Sequence, residues 1–334
     1  MAKIEYKGKT LETKVPITHL TDEQVKQLRE EFYRKPELEK VIKQMKTIHN
    51  GGTLMNKIVD YYIKHLIAQV TIETDKWSMA DVFECKELLE FFYSKTLQNP
   101  KVFNSKSLLA NICTAIRIGG KGAVRKASNY PIKSVREILE LYNVNGNYYD
   151  YSCGWSARLL GALSMEINYF GTDPNYLLTE QLEKIAELYK EVNGINTITD
   201  IRTQGSEHLV EEWVGKMGVA FSSPPYFDLE DYKVGDQSIN YGNYEAWKEK
   251  YLRPTFENIK KYLVKDGFFI LNLKDTKRYA MLTDAIKIAE ELGFQIHAIH
   301  ELKNISRKYG VQNGKGMMGT VNNNEQIVVF KLTN

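Results

Sequence analysis

The sequence predicts an α/β fold in which a doubly wound sheet of seven strands follows an N-terminal helical domain. Apolar residues recur at helical spacing over most of residues 1–145. From about residue 146 onward, short apolar segments alternate with amphipathic segments of helical period. Short apolar strands that alternate with helices are typical of a sheet that is covered on both faces.

The N-terminal half is predicted to consist mainly of helices. Thr21 and Gln24 have the spacing of a capping box, which predicts that a helix begins at this point. Apolar side chains recur at helical spacing in two later segments, and we expect both stripes to lie in the core. The glycine-rich segment 119–122 predicts a loop. The predicted helices of this half lie near residues 21–34, 53–70, 79–97 and 133–143.

The second half is predicted to alternate strands and helices. We predict strands near residues 147–152, 167–172, 197–203, 217–222, 266–273, 294–301 and 326–332. We predict helices near residues 156–166, 178–192, 206–214, 243–264 and 278–292. A Gly- and Asn-rich segment, residues 303–324, separates the last two strands. Since no helix is predicted there, we expect these two strands to pair antiparallel across a long loop.

The composition indicates a globular, cytoplasmic protein. The chain has 334 residues, of which 43% are hydrophobic and 26% are charged, and this leaves room for two domains. No apolar run approaches the roughly 18 residues that a membrane span needs, and the first ten residues contain no apolar signal core. The three cysteines are widely spaced and odd in number. We therefore expect no disulfide framework, no membrane anchor and no metal site.

Basic residues are concentrated in two segments that contain no acidic residue. Residues 91–136 contain nine of them and residues 302–324 contain four, whereas the whole chain has a net charge of +3. Such a distribution favours binding of a polyanion on one face, although a solvated basic surface is the alternative. Because both segments are also rich in Gly, Asn, Ser or Tyr, we favour nucleic acid. The candidate nucleic-acid-binding residues are Arg117, Lys121, Arg125, Lys126, Arg307 and Lys308.

The first candidate site is the segment DYSCGWS, in which the first predicted strand of the sheet ends. Gly154 permits a tight turn there, and a small residue at Ser156 lets a ligand approach the backbone. Asp173 follows the second strand about 20 positions later, as an acidic residue that binds a ribose diol does. Asp173 could also be an ordinary turn or capping residue. Ser206, after the third strand, could contact an adenine or cap a helix.

The most specific candidate site follows the fourth predicted strand of the sheet. Two prolines follow the fourth predicted strand, and they end it in a rigid corner because proline fixes φ and has no N–H. We call residues 223–226, Ser-Pro-Pro-Tyr, the corner. This corner lies at the carboxyl edge of the sheet, where α/β sheets bind ligands. A stiff turn alone does not account for a serine before the prolines and for Tyr226 and Phe227 after them.

The corner, together with the Gly154 loop and Asp173, resembles the amino-group DNA methyltransferases that use S-adenosylmethionine. The resemblance covers residues 128–334, is strongest to phage and bacterial members, and implies a Rossmann-like, seven-stranded methyltransferase sheet. Residues 1–127 would then form a helical domain with a possible role in DNA recognition. In this family a serine in the first position is most associated with cytosine N4, and aspartate with adenine N6. Trp155-Ser156 departs from the family, which often has a second glycine here.

The resemblance implies S-adenosylmethionine as the cofactor and double-stranded DNA as the partner. Asn129-Tyr130-Pro131 is similar to the upstream segment that packs on the methionine end of the cofactor. The implied catalytic residues are Ser223, Pro224, Pro225 and Tyr226. The implied cofactor-binding residues are Tyr130, Pro131, Asp150, Ser152, Gly154, Asp173, Pro174 and Ser206.

The chemistry of the corner suits an amine of a base. The lone pair of such an amine is delocalised into the ring, and it can be localised if Ser223 Oγ and the Pro224 carbonyl accept its N–H groups. Tyr226, with Phe227, would stack on a base that is rotated out of the duplex. Adenine N6 is the alternative target. An RNA base, a protein amide, or an inactive nucleic-acid-binding module are further alternatives.

Overall fold

The computed structural model describes residues 2–73, 75–119, 123–125, 127–142, 145–233, 237–301 and 325–332. The chain forms two compact units. The first consists of Met1–Leu38, Val59–Ser128 and Asp228–Lys233, and the second of Glu39–Ile58, Asn129–Phe227 and Val234–Asn334. The predicted division at residues 127 and 128 is a single boundary, whereas each unit is built from several stretches of the chain.

The described helices and strands are numbered here in chain order. The helices are α1 Asp22–Tyr33, α2 Leu38–His49, α3 Asn56–Tyr62, α4 Lys64–Gln69, α5 Met79–Glu84, α6 Lys86–Gln98, α7 Leu108–Gly119, α8 Ile132–Tyr142, α9 Ala157–Leu163, α10 Tyr176–Asn193, α11 Tyr244–Trp247, α12 Arg253–Tyr262 and α13 Met281–Glu291. The strands are β1 Ala2–Tyr6, β2 Lys9–Thr13, β3 Thr71–Ile72, β4 Asn147–Asp150, β5 Asn168–Thr172, β6 Thr199–Arg202, β7 Met217–Ser222, β8 Glu230–Asp231, β9 Leu263–Leu273, β10 Phe294–Glu301 and β11 Gln326–Leu332.

The first unit is mainly helical, as predicted, and the capping box of α1 is present. The Gln24 N–H donates to Thr21 Oγ1 at 3.2 Å, and the Thr21 N–H donates to Gln24 Oε1 at 2.9 Å. The two long predicted helices are each divided, one between α3 and α4 and the other at Cys85 between α5 and α6. The antiparallel hairpin of β1 and β2 was not predicted. Its alternation of apolar and polar residues is only five residues long in each strand.

The second unit confirms the predicted Rossmann-like sheet. Within the described residues, seven strands are hydrogen-bonded in the order β10-β11-β9-β7-β4-β5-β6. The pairs of β4 with β5 and β7, of β5 with β6 and of β7 with β9 are parallel. β11 is antiparallel to both of its neighbours, so the predicted antiparallel pairing of the last two strands is confirmed. The buried residues of β7 and β9 form the centre of its core.

The sheet order places a switch point between β4 and β7. The chain proceeds outward from β4 to β5 and β6, and then returns to the other side of β4 as β7. At such a point the helices leave neighbouring strands toward opposite faces, which opens a crevice at the carboxyl ends of the strands. The segments after β4, β5 and β7 are the three that the sequence singled out.

One predicted helix is absent. Residues 206–214 form turns and a short 3₁₀ helix at Glu211–Trp213 in place of the predicted α-helix. Ser206 therefore caps no helix. The predicted helix near 243–264 is present as a continuous helical segment, in which a π-helical turn at Lys248–Leu252 joins α11 to α12.

Candidate active site

The ends of β4, β5 and β7 are joined by hydrogen bonds. Ser222 Oγ, at the end of β7, donates to the Ser152 carbonyl oxygen at 3.1 Å. The Cys153 N–H donates to the Thr172 carbonyl oxygen, at the end of β5, at 3.2 Å. Residues 151–156, which we call the Gly154 loop, are thereby held between the corner on one side and Asp173 on the other.

Asp173 closes the far side of this loop. Its carboxylate accepts the N–H groups of Asn175, at 3.0 Å, and of Gly154. Its side chain is only 9% exposed, and this burial raises its pKa to about 7 despite those two hydrogen bonds. A carboxylate that exchanges its proton near neutral pH can accept hydrogen bonds from a ribose diol. Pro174, beside it, is partly exposed.

Asp150 has a different environment from the one predicted. It is fully buried, and its Oδ2 accepts hydrogen bonds from Arg158 Nε and from the Tyr169 hydroxyl, both at 2.9 Å. The predicted direct contact of this carboxylate with a cofactor is therefore not what the structure favours, because Oδ2 is occupied inside the protein. Asp150 shapes the Gly154 loop instead, and its Oδ1 accepts the Ser152 N–H at 3.4 Å.

Arg158 is a residue of this site that sequence reasoning missed. From the first turn of α9 it bonds Asp150 and the Ser152 carbonyl, and its guanidinium lies 5.9 Å from the ring centre of Tyr130. Burial lowers the pKa of Arg158, but the Asp150 carboxylate, together with Tyr148 and Tyr169, more than offsets this, so the pKa is raised. Losing one partner of such a buried pair typically costs about 3–5 kcal/mol. A single arginine in the apolar segment ARLLGAL was the available signal.

Ser156 has the backbone conformation of a glycine. It stands where the amino-group DNA methyltransferases often have a second glycine. It adopts a φ of +73°, in the left-handed region that favours glycine, where the family often has one. It is fully buried, and its hydroxyl has no hydrogen-bond partner among the described residues. Strain and an unpaired polar atom thus coincide on one residue of the Gly154 loop, a combination that is typical of functional sites.

The corner is open on one side. Ser223 and Pro225 are partly exposed, whereas Pro224 is buried and Tyr226 is 9% exposed. Ser223 Oγ accepts a hydrogen bond from Asn272 Nδ2 at 2.8 Å, and the Tyr226 hydroxyl donates to Glu325 Oε1 at 3.4 Å. The corner follows Ser222 directly, so it lies within one residue of the hydrogen bond to the Gly154 loop.

Phe227 does not have the role that we predicted for it. It is buried in an aromatic cluster, with its ring centre 5.5 Å from that of Tyr279, 5.9 Å from that of Tyr244 and 6.3 Å from that of Trp247. These contacts anchor the chain after the corner.

The remaining predicted cofactor residues lie in two places. Tyr130 packs on Phe221, with ring centres 5.7 Å apart, and the next residue, Pro131, is exposed. Ser206 is buried, its hydroxyl is 2.8 Å from that of Thr255, and its carbonyl oxygen accepts a hydrogen bond from Asn258 at 3.0 Å. The hydroxyl and the carbonyl group of Ser206 are thus both hydrogen-bonded within the protein.

The polar groups of this region fit S-adenosylmethionine. The Tyr130 hydroxyl and Ser156 Oγ are buried and have no hydrogen-bond partner within the part of the chain that the structure describes. Buried polar atoms are normally paired, and a bound ligand is one way in which an unpaired atom gains a partner. Asp173 adds a buried carboxyl group to the same region. A nucleoside that carries an amino acid and a positive charge offers donors to these acceptors.

The predicted nucleic-acid-binding residues are placed only in part. Arg117 is exposed in the last turn of α7. Arg125 is exposed and forms an ion pair with Glu73. Arg136, from the same acid-free segment, donates to the carbonyl groups of Gly51 and Gly52 and is thus occupied within its unit. Lys121, Lys126, Arg307 and Lys308 lie outside the described residues.

Comparisons with known proteins indicate a methyltransferase. No family model matches the chain. A stretch of 130 residues is 30% identical to the type II methyltransferase M.MjaVI of Methanocaldococcus jannaschii. This stretch covers 37% of this chain and 62% of M.MjaVI. The match supports a methyltransferase, but it spans less than two thirds of the length of M.MjaVI.

Solved structures of methyltransferases are similar at lower identity. A TehB-like SAM-dependent methyltransferase from Corynebacterium glutamicum has a TM-score of 0.41 and 15% identity, over 67% of this chain and 97% of that one. The glycopeptide N-methyltransferase MtfA, complexed with S-adenosylmethionine, has a TM-score of 0.40 and 10% identity, over 61% and 94% of the two chains.

In the described residues, no helix is long and apolar enough to cross a membrane.

We expect Ser156→Gly to raise the free energy of unfolding by about 1 kcal/mol, because glycine adopts a positive φ without strain. Ser156→Ala is the matched control, since it removes the hydroxyl but keeps the strained Cβ. Urea denaturation of both variants measures the difference. If the alanine variant were as stable as the glycine variant, the strain at this position would be negligible.

The stability of the protein should depend on pH through Asp173. Its pKa is raised on folding, so its favourable contribution is complete below the unfolded pKa near 4 and is lost as pH rises through about 7. We expect the wild type to lose up to about 4 kcal/mol relative to Asp173→Asn between about pH 4 and about pH 8. Urea denaturation at several pH values measures this. A difference that does not change with pH would contradict the assignment.

Proposed function

We propose that the protein is an S-adenosylmethionine-dependent methyltransferase that acts on an exocyclic amine of a DNA base, with cytosine N4 preferred. The observation that carries this proposal is the hydrogen bond between Ser222 and Ser152. It holds the Ser-Pro-Pro-Tyr corner directly against the Gly154 loop. An amine bound at the corner and a methyl donor bound at the loop would therefore be neighbours.

The residues around the Gly154 loop would hold the cofactor. Asp173 would accept the ribose hydroxyls, while Ser156 Oγ and the Tyr130 hydroxyl offer unpaired polar atoms to its amino-acid end. Asp150 and Arg158 keep the loop in shape from below through their buried ion pair. S-adenosylmethionine, when bound, supplies a methyl group on a positively charged sulfur, which an amine lone pair can displace.

The corner would bind and activate the amine. The Pro224 carbonyl would accept an N–H of the amine, which concentrates the lone pair on nitrogen, and Ser223 would hydrogen-bond the same edge of the base. The rigid diproline keeps these groups in place and so lowers the entropy that must be lost at reaction. Tyr226 would stack on the base through its ring, and its hydroxyl donates a hydrogen bond to Glu325.

Three features favour DNA as the substrate. The Ser-Pro-Pro-Tyr motif resembles that of the amino-group DNA methyltransferases, and M.MjaVI is a type II methyltransferase. The two acid-free segments favour a polyanion. Arg117, exposed in the first of them, would contact phosphate groups.

Nucleoside mass spectrometry of DNA from cells that express the protein tests this proposal. We expect N4-methylcytosine in the DNA, and none when the cells express Ser223→Ala. N6-methyladenine would correct the target base. A label from S-adenosylmethionine that enters only RNA or protein would contradict DNA as the substrate. Calorimetry that finds no S-adenosylmethionine binding would favour an inactive nucleic-acid-binding module.

Substitutions in the corner should abolish transfer and spare cofactor binding. We expect Ser223→Ala and Tyr226→Ala to lower kcat/KM for DNA by at least about 100-fold, since each removes a group that orients the amine. Tyr226→Phe, which keeps the ring, should retain most activity. Tyr176→Ala, an exposed tyrosine of α10, is the control. Full turnover by Tyr226→Ala would exclude the stacking role.

Cofactor binding should be coupled to the proton of Asp173. If the ribose hydroxyls donate to its carboxylate, binding favours the ionised form, so affinity should rise between about pH 6 and about pH 8. Asp173→Asn should weaken binding by roughly 10-fold or more and abolish this rise. Isothermal titration calorimetry measures both. Unchanged affinity in the variant would remove Asp173 from the site.

A further inference from the structure

Two side chains connect the first and last residues of the corner. One lies in β9, and the other lies directly before the neighbouring strand β11. Asn272, in β9, donates its Nδ2 to Ser223 Oγ at 2.8 Å and to Glu325 Oε2 at 3.4 Å. Glu325, directly before β11, accepts the hydroxyl of Tyr226 on its other oxygen, at 3.4 Å. Ser223, Asn272, Glu325 and Tyr226 thus form one hydrogen-bonded chain beneath the corner.

The direction of these hydrogen bonds is determined by chemistry. An ionised carboxylate only accepts, so the amide group of Asn272 must turn its nitrogen toward Glu325. The same nitrogen reaches Ser223, and Ser223 therefore accepts from Asn272. The hydroxyl hydrogen of Ser223 must then point away from Asn272, and Ser223 is partly exposed.

We propose that Asn272, oriented by Glu325, is a positioning residue that fixes Ser223 as a hydrogen-bond donor to the target base. This inference rests on the proposed function. In cytosine and in adenine the amine stands beside a ring nitrogen that accepts hydrogen bonds. Ser223 donates to that ring nitrogen, while the Pro224 carbonyl accepts an N–H of the amine. The base is thereby held by one donor and one acceptor.

A second observation supports a role toward ligand. Asn272 is 2% exposed, and its Oδ1 has no hydrogen-bond donor among the residues that the structure describes. A residue that served packing alone would be better replaced here by an apolar side chain, since an unpaired buried amide oxygen is unfavourable. Asn272 is therefore best explained by its hydrogen bond to Ser223, which an apolar side chain could not make, in spite of the unfavourable burial of its Oδ1.

The test compares a reversal of the hydrogen bond with its removal. In Asn272→Asp a carboxylate replaces the amide nitrogen, so Ser223 must donate to it and can no longer donate to the base. In Asn272→Ala the hydroxyl of Ser223 is left free to rotate. The double variant Asn272→Asp with Glu325→Gln removes the repulsion between two carboxylates but keeps the reversed bond. Asn168→Asp, at the first residue of β5 and so at the amino end of the parallel strands, is the matched control.

The assay uses genomic DNA from a host that lacks the modification and labelled S-adenosylmethionine. We expect Asn272→Asp to lower kcat by roughly 10- to 100-fold, with a smaller loss for Asn272→Ala. The KM for DNA and the S-adenosylmethionine affinity measured by calorimetry should change little in Asn272→Asp, whereas its melting temperature should fall through the repulsion between the two carboxylates and recover in the double variant. The double variant should be as impaired as Asn272→Asp, and Asn168→Asp should resemble the wild type.

Several outcomes would overturn the inference. These are a fully active Asn272→Asp, a larger loss in Asn272→Ala than in Asn272→Asp, or recovery of activity in the double variant. The first would show that the direction of the bond is irrelevant, the second that the role is packing, and the third that charge repulsion caused the loss. A wild type that methylates no DNA would overturn the proposed function, and this inference with it.

Discussion

The parallel pairing of β4 with β7 is the constraint on which the site depends. Because the two strands are neighbours, the segments that leave them emerge at the same edge of the sheet. Two contacts then hold them together: Ser222 Oγ donates to the Ser152 carbonyl oxygen, and the Tyr151 hydroxyl lies 2.9 Å from the Ser222 carbonyl oxygen. The same hydroxyl is equally close to the Ile270 carbonyl oxygen of β9, so it shares its one hydrogen between the two strands. The position of the corner relative to the Gly154 loop follows from this pairing.

The polar groups at this edge fall into two classes. Asp150 and Arg158, which shape the Gly154 loop, are buried and bonded to each other. The groups of the second class are energetically unfavourable in the free protein. Ser156 is strained and its hydroxyl is unpaired, the pKa of Asp173 is raised, and Asn272 Oδ1 has no donor in the described residues. Unfavourable groups that lie together in one region are typical of a site that is preorganised for a ligand.

The sequence predicted what depends on local patterns. Strands with continuous apolar runs, the acidic residue after β5 and the diproline corner were all recognisable, because each is a contiguous segment. Arg158, Asn272 and Glu325 were missed, since their partners are distant in sequence or their roles arise from strand order. Phe227 was assigned to stacking because its neighbour Tyr226 suggested it, but the aromatic residues that bury it lie in other elements.

A crystal structure with S-adenosylhomocysteine and a DNA duplex tests the central claim most directly. The account predicts that the sulfur atom lies at the Gly154 loop and faces the Pro224 carbonyl. A base amine should stand between them at a separation that would bring nitrogen and methyl carbon to about 3–3.5 Å. A ligand bound elsewhere, or a sulfur turned away from the corner, would contradict it.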